Sequence, residues 1–499
     1  MLLKSLFIIA VSLVFAAEIS QSPVSELALF NRCYAHITQN ALPINHPLRA
    51  DVVAGKITAV NACMSIFDSA KLNTSGGNEG KLINDTAESR AVLLGFNDFH
   101  RSWFPNDDLN TSMPDEVFPR GAFIHDETEA ALHLTRALFS DGVPYSSVVT
   151  GDSGMEALRS NGFSQKDRDL ASYSYDQLVA MSKFRLLMWS SSDPSSPRTR
   201  IPMNAELLQT GELLGARRLK LNPNKQNFTV HSSGNIVMND KNYPNPQDIP
   251  LHQSFGAGII GTRSYLLLNI GRPNIHPSNG GVRMNRRWSK SVMSDLLCRD
   301  LPALRQSDAA PFVNRNPAAN TPPFRNATSC MSCHSTMDPM AAVTRNISFM
   351  ETMYGNFGGS MELTNWPVTM GAETGLVDDD VQFFHRPPNG KLFFRSYDGT
   401  LVDNALSSIP ALGQAISQTK DLYVCAAAQY FQYFTGITAN LRDLGDPATP
   451  PISSADLKYR NIVIQLGINL KSNQSLRSLV QGIISSDLYR RSAMRDVAP

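Results

Sequence analysis

Apolar residues recur every three or four positions along most of the chain, and this pattern predicts a mainly α-helical protein. Two such segments lie between residues 24 and 72, where Pro43 and Pro47 separate them. Their apolar faces include Leu29, Phe30, Cys33, Val60, Cys63, Met64 and Phe67. We therefore expect two helices that pack against each other as a hairpin.

The central part of the chain predicts further helices over residues 90–104, 125–142 and 279–298. The second of these begins with three acidic residues, namely Asp126, Glu127 and Glu129. Acidic side chains in the first turn complement the helix dipole. We therefore expect a solvated helix start there rather than a metal site.

Two stretches rich in Asn, Pro and Ser, at residues 189–200 and 221–250, predict surface loops or insertions. Between them, residues 205–221 predict either another helix or a junction between a helix and a strand. Near the C-terminus, residues 407–418 and 473–491 have clear helical periodicity. These patterns place long polar insertions between helical segments.

Residues 421–435 predict one more C-terminal helix, and Gly436 stands where a glycine commonly caps a helix. This segment carries four aromatic residues, namely Tyr430, Phe431, Tyr433 and Phe434. They suit a haem crevice, a surface on which sugars stack, or a packed core. We expect the core, since it is the plainest use of such a set.

The N-terminus has the pattern of a secretory signal peptide over residues 1–17. Lys4 precedes an apolar run from Leu6 to Phe15, and Ala16 and Ala17 follow it. The run is short for a membrane span, and no later run of about twenty apolar residues occurs. We therefore expect a periplasmic or secreted protein without a membrane span.

The chain of 499 residues carries 45 basic and 44 acidic side chains. This balance argues against a nucleic acid or an anionic membrane surface as the partner.

The segment Cys330-Met331-Ser332-Cys333-His334 has the Cys-x-x-Cys-His pattern by which haem c is attached. The two cysteines, one helical turn apart, would each form a thioether with the haem, and His334 would bind the iron. A redox disulfide, half of a zinc site and a structural cysteine pair are the alternatives. Export favours haem among these four alternatives.

The pair Asp338-Pro339 follows the motif. We expect this pair to end or redirect the helix, with Asp338 fixing the turn.

The other cysteines suit disulfides in an oxidising compartment. The six cysteines are Cys33, Cys63, Cys298, Cys330, Cys333 and Cys425. If Cys330 and Cys333 attach haem, four cysteines remain, which is an even number. Their order along the chain suggests the pairs Cys33–Cys63 and Cys298–Cys425. Buried free thiols are the alternative.

The order of several segments resembles that of the planctomycete-type cytochrome domain proteins, which are secreted bacterial multi-domain proteins of unknown function. FNDFHRSWF and DETEAALHLTRALFSDG resemble an early part of that family, and NRRWSKSVMSDLLCRDLP with CMSCHSTMDPM resembles its haem-motif domain. VCAAAQYFQYFTGI resembles its C-terminal domain. The resemblance implies one covalent haem c and favours a Cys298–Cys425 disulfide. The chain departs from the family at Ala303-Leu304-Arg305, where prolines are usual, and at Ala341, where glycine is common.

The motifs and the resemblance together suggest four parts after the signal peptide. They are an N-terminal helical hairpin (18–75), a helical domain with loop insertions (90–250), a cytochrome c-like haem-motif domain (251–375) and a C-terminal helical domain (390–495). The fold class that we predict is therefore mainly α, with long Pro- and Asn-rich loops around the haem motif.

The sixth ligand of a haem iron needs a donor on the face opposite His334. Met337 and Met340 follow His334 on its own helix and cannot reach that face. We predict Met370, which lies in a loop-like segment, as that ligand. The other candidates are Met350, Met353, Met361 and His385.

Three functions remain open on the sequence alone. The first is a mono-haem protein that transfers electrons to or from a redox partner protein. The second is a haem-dependent oxidative enzyme, for which no distal base is evident in the sequence. The third is a haem-free secreted binding or scaffold protein in which Cys330 and Cys333 form a disulfide.

Overall fold

The fold is taken from a computed structural model, which describes thirteen stretches of the chain. They are residues 22–105, 123–124, 128–160, 186–187, 212–218, 228–230, 236–238, 254–270, 285–314, 323–353, 359–365, 368–372 and 385–495. The predicted signal peptide at 1–17 lies outside these residues, as do the loop at 189–200 and most of the loop at 221–250.

Helices dominate the described fold, as the sequence predicts. They are α1 (Glu26–Thr38), α2 (Pro47–Val53), α3 (Ala59–Asp68), α4 (Ala87–Arg101), α5 (Glu129–Phe139), α6 (Ser147–Thr150), α7 (Arg263–Ile270), α8 (Arg286–Leu297), α9 (Gln306–Ala309), α10 (Thr328–Ala341), α11 (Ile409–Gln418), α12 (Asp421–Thr435), α13 (Ser454–Asn473) and α14 (Leu476–Ser485). The protein is therefore mainly α.

The described strands form antiparallel pairs rather than one large sheet. They are β1 (Phe123–Ile124), β2 (Met155–Arg159), β3 (Leu186–Leu187), β4 (Leu213–Arg218), β5 (Phe228–Val230), β6 (Ile236–Met238), β7 (Ile347–Met353), β8 (Gly359–Asn365), β9 (Gly390–Arg395) and β10 (Leu401–Leu406). The pairs are β1–β3, β2–β4, β5–β6, β7–β8 and β9–β10. The segment at 205–221, where the sequence left a helix or a junction open, contains strand β4.

A disulfide between Cys33 and Cys63 joins α1 to α3, with a Cα–Cα distance of 6.1 Å. Side chains cap both helices, because Ser25 accepts from the backbone N–H of Ala28 and Thr58 from that of Asn61. Helix α2 lies between them in sequence. The predicted pairing of these cysteines is confirmed.

The second disulfide joins Cys298 to Cys425, with a Cα–Cα distance of 5.2 Å. Cys298 follows α8 in the left-handed conformation, with φ of 50°, and Cys425 lies within α12. The bond therefore ties the end of α8 to the C-terminal helices, as predicted. Helix α12 ends at Gly436, whose φ is 67° and whose N–H donates to the carbonyl of Gln432 at 2.8 Å.

The C-terminal segment packs on the N-terminal helices. Arg32 of α1 donates to the carbonyl oxygen of Tyr489 at 2.6 Å, and Arg477 of α14 pairs with Asp68 of α3 at 2.6 Å. One hydrophobic cluster contains buried residues from Leu29 to Tyr489. It includes Tyr430, Phe431 and Phe434, so these aromatic residues form core, as expected.

We expected the start of α5 to be exposed to solvent. This expectation is wrong for Glu129, which is buried. Every residue of α5 is buried, because α4, α7, α14, β2 and β4 all pack against it. The Glu129 carboxylate accepts from the N–H of Met155 at 2.8 Å and from the hydroxyl of Ser264 at 2.5 Å. Asp126 and Glu127 lie outside the described residues. Glu129 is thus a buried structural acceptor.

Candidate functional site

The Cys-x-x-Cys-His motif lies in the first two turns of α10, a helix that packs against α8, α9 and β9. Cys330 and Cys333 are free thiols and both are half-buried. Three residues apart on a helix, they lie on the same side, with Cβ atoms about 5–6 Å apart. Burial raises the pKa of the Cys333 thiol, and the hydroxyl of Ser332 partly offsets this. Cys333 is therefore a protonated thiol at neutral pH.

His334 is held in one orientation by two neighbours. Its Nδ1 lies 3.1 Å from Oδ1 of Asp338, one turn further along the helix. A carboxylate only accepts hydrogen bonds, so Nδ1 carries the proton and the lone pair is on Nε2. The ring of Phe324 stacks on the imidazole at 4.2 Å with an interplanar angle of 27°. Nε2 points along the ring plane, so this stack does not cover it.

Within the described part of the chain, no group forms a hydrogen bond with Nε2 of His334. That nitrogen is the atom with which a histidine of this tautomer binds a metal. The hydrogen bond from the other ring nitrogen to a carboxylate is the arrangement that orients ligating histidines and makes them more basic. His334 thus has the tautomer and the fixed orientation that a metal-binding histidine needs.

We expected Asp338 to fix the turn after the motif. In the structure its carboxylate instead connects α10 to α8. Its carboxylate forms two hydrogen bonds with Arg286, at 2.6 Å to Nε and 3.1 Å to Nη2. Arg325 lies 3.8 Å from the same carboxylate. The helix also continues two residues past Pro339 to Ala341, so this proline does not end it at once. Asp338 therefore belongs to the site.

Arg286, Phe324 and Arg325 are residues of the site that the sequence reasoning missed. Both guanidinium groups lie 5.6 Å from the centre of the Phe324 ring. They place two positive charges beside the face of α10 that carries His334. The only sequence signal was the basic pair Arg286-Arg287 at the start of α8, which is common on solvated helices.

The structure brings Met370 and His385, two of the candidate sixth ligands, together. The backbone N–H groups of Thr369 and Met370 donate to the carbonyl of His385, at 3.0 and 3.1 Å. Met370 itself is half-buried. Of the remaining methionines, Met337 and Met340 lie on α10, whereas Met350, Met353 and Met361 belong to the β7–β8 pair.

Among the residues that the structure describes, no three His, Cys, Asp or Glu side chains cluster as a metal-ion site. None of the described helices combines the length and the apolar character that a membrane crossing needs.

No protein-family model, curated protein or solved structure matches this chain.

The donor set fits the requirements of covalent haem attachment. It supplies two unbonded thiols on one side of a helix and a histidine whose Nε2 is available. Arg286 and Arg325 add positive charge nearby, which suits carboxylate groups such as haem propionates.

Proposed function

We propose that this chain is an exported mono-haem c-type protein that transfers single electrons to or from a redox partner protein. We further propose that it belongs with the planctomycete-type cytochrome domain proteins that it resembles. The observation that carries the proposal is the pairing of His334 with Asp338 beside two free thiols. A bare structural cysteine pair has no need of an oriented histidine.

In this proposal each residue of the motif has one task. Cys330 and Cys333 hold the haem through thioether bonds, and His334 binds the iron through Nε2. Asp338 fixes the rotation of the imidazole, while Arg286 keeps the Asp338 carboxylate in place. When bound, the haem supplies the one-electron redox chemistry.

Met370 and His385 are the residues that we propose as candidates for a second protein ligand, which would tune the reduction potential of a bound haem. Methionine ligation gives a higher reduction potential than a second histidine. Ferric haem with a methionine ligand has a weak absorption band at the red edge of the visible spectrum. We expect this band in the native protein and its loss in Met370→Ala, whereas His385→Ala keeps it. Absence of this band from the native protein, with a ferric spectrum that changes from low spin to high spin in His385→Ala but not in Met370→Ala, would assign the ligand to His385.

The proposed location is the periplasm or the extracellular medium. The signal-peptide pattern at residues 1–17 supports export, and the two disulfides suit an oxidising compartment. Haem c of bacteria is attached in that same compartment.

Covalent attachment is tested by expression with the signal peptide in a host that matures c-type cytochromes. We expect a haem-stained band on a denaturing gel for the native chain and for Ser332→Ala, the matched control within the motif. The double variant Cys330→Ala, Cys333→Ala should give none. An unstained native band, beside a stained reference cytochrome from the same host, would refute the proposal.

A haem-dependent oxidative enzyme is the second candidate, and the His334–Asp338 hydrogen bond favours it. A more basic histidine ligand stabilises the higher oxidation states of iron that oxidative chemistry uses. Such an enzyme needs an open sixth position. Binding of carbon monoxide to the reduced protein would support the enzyme, whereas its absence would support electron transfer with both axial positions filled.

A further inference from the structure

Helix α10 turns one side toward the solvent between residues 330 and 337, and that side carries metal-binding groups. Four residues are half-buried there, namely Cys330, Cys333, His334 and Met337. The four residues between them are all buried. Residues three, four and seven apart share one side of a helix. The accessible stripe of this helix therefore holds two thiols, one imidazole and one thioether.

The two thiols of the stripe can converge on one ion. Cys330 and Cys333 form no disulfide and both reach the surface. One helical turn separates them, which places their Cβ atoms about 5–6 Å apart on the same side. Rotation about the Cα–Cβ bonds can bring both sulfur atoms to a shared position above this turn.

Met337 provides a third sulfur for the same position. It follows Cys333 by four residues, and side chains on a helix lean toward its N-terminus. The Met337 side chain therefore extends over the turn that carries Cys333. It is unbranched and flexible, so it can adapt to a bound ion, whereas Asp338 and Phe324 hold the imidazole of His334 in place.

This donor set favours Cu(I) over Zn(II). Thiolate and thioether sulfur are soft ligands, and Cu(I) binds both. Structural zinc takes four ligands, almost always cysteine, histidine or carboxylate. Within the described part of the chain, no three such side chains are arranged to hold a metal ion. Zinc therefore lacks ligands at this stripe, whereas Cu(I) is stable with two or three.

The charges beside the stripe also favour a univalent ion. Asp338 lies between two guanidinium groups, at 2.6 Å from Arg286 and 3.8 Å from Arg325, so these three side chains carry a net positive charge. Each thiol releases its proton when it binds a metal. Cu(I) with two thiolates is therefore an anion, which nearby positive charge stabilises, whereas Zn(II) with two thiolates is neutral.

We propose that the haem-free chain binds one Cu(I) ion through the thiolates of Cys330 and Cys333 and the thioether of Met337. This inference does not rest on the proposed function, because it concerns the same helix without haem. Sulfur atoms that are bonded to haem can no longer act as thiolates. Cu(I) binding and haem attachment therefore exclude each other.

Anaerobic competition with bicinchoninate, a chelator that is coloured when it binds Cu(I), tests this proposal. The protein is the full-length chain, exported from a host that lacks the enzymes of haem attachment, and ascorbate keeps the copper reduced. Intact mass and a thiol assay first verify two free thiols, two disulfides and no haem. We expect one Cu(I) per chain in the native protein and none in the double variant Cys330→Ala, Cys333→Ala.

Two methionine variants of α10 test the third ligand. Met337→Leu should weaken Cu(I) binding about tenfold or more, because even the loss of a contact that only supports a ligand weakens metal binding about 10–100-fold. Met331→Leu is the matched control at a buried methionine of the same helix, and it should bind Cu(I) as the native protein does.

Three results would each overturn the proposal. They are a native chain that takes no Cu(I) from the chelator, equal Cu(I) affinities of Met337→Leu and Met331→Leu, and an affinity for Zn(II) that equals or exceeds that for Cu(I). Failure of haem attachment in a host that matures c-type cytochromes would refute the proposed function alone and would leave the copper result unchanged.

Discussion

Asp295 of α8 shows how strongly burial acts on one residue of this protein. Its carboxyl group accepts from the hydroxyl of Tyr265 at 2.9 Å and from that of Ser294 at 2.7 Å. Burial is nevertheless the larger effect and raises the pKa of Asp295 to about 7. The folded protein therefore holds a proton there that the unfolded chain releases near pH 4.

The stability of the protein should fall between pH 4 and pH 7 because of this group. The folded pKa is raised, so the stabilisation is complete below the unfolded pKa and is lost as the pH rises through about 7. Asp295→Asn removes the titration and should flatten the profile, by up to about 4 kcal/mol across this range. Urea unfolding at pH 4, 5.5 and 7 measures it, and parallel profiles of the two proteins would contradict the prediction.

Asp338 has a testable effect on the haem that we propose. The hydrogen bond from His334 to a carboxylate gives the ligand more negative character than a bond to an amide does. Asp338→Asn should therefore raise the reduction potential of the haem-loaded protein. Redox titration measures it, with Ser332→Ala as the control that should leave the potential unchanged. A lower or unchanged potential in Asp338→Asn would show that Asp338 does not act on the iron ligand.

Residues of the site were predictable only where they are close in sequence. Cys330, Cys333 and His334 form a contiguous motif, and their chemistry follows from the spacing. Arg286 lies 52 residues before its partner Asp338, and only the packing of α8 on α10 brings the two together. The pattern along the chain contains no signal for such a pair.

At the scale of elements, periodicity located the helices that have one continuous apolar face. Helix α13 was missed because its buried positions include Arg460 and Gly467 among Tyr459, Val463 and Leu470. The β9–β10 hairpin was also missed, although Asp398-Gly399 is a common hairpin turn and Gly399 has φ of 81°. Tertiary packing, rather than the pattern alone, decides these elements.

Helices α12 and α13 approach closely at Gly467, which gives a prediction at this scale. A Cβ at that position would lie 2.6 Å from the Val424 side chain and 2.7 Å from its Cα atom. Gly467→Ala should therefore destabilise the protein by about 1–3 kcal/mol, since the helices would have to move apart.

Gly482 of α14 is the matched control for Gly467. The nearest atom to a Cβ there is a flexible methyl of Leu466 at 3.4 Å. Gly482→Ala should be neutral or stabilising by about 0.5–1 kcal/mol, because alanine favours the helix. Thermal or urea unfolding of both variants measures the difference, and equal changes in the two would contradict the packing described for α12 and α13.

At the scale of the whole molecule, the motif helix is part of a large mainly helical fold. Helix α10 packs on α8, and α8 is tied by the Cys298–Cys425 disulfide to α12. Helix α12 in turn contributes to the hydrophobic cluster that reaches α1. The proposed electron-transfer site is therefore supported by α8 and, through the disulfide, by α12.

The intact mass of the exported full-length protein is the most direct test of the central claim, which is covalent haem at Cys330 and Cys333. We predict that the mature chain carries the added mass of one haem and that the double variant Cys330→Ala, Cys333→Ala does not. The mass of the unmodified mature chain, obtained from a host in which a reference c-type cytochrome is fully loaded, would contradict the account.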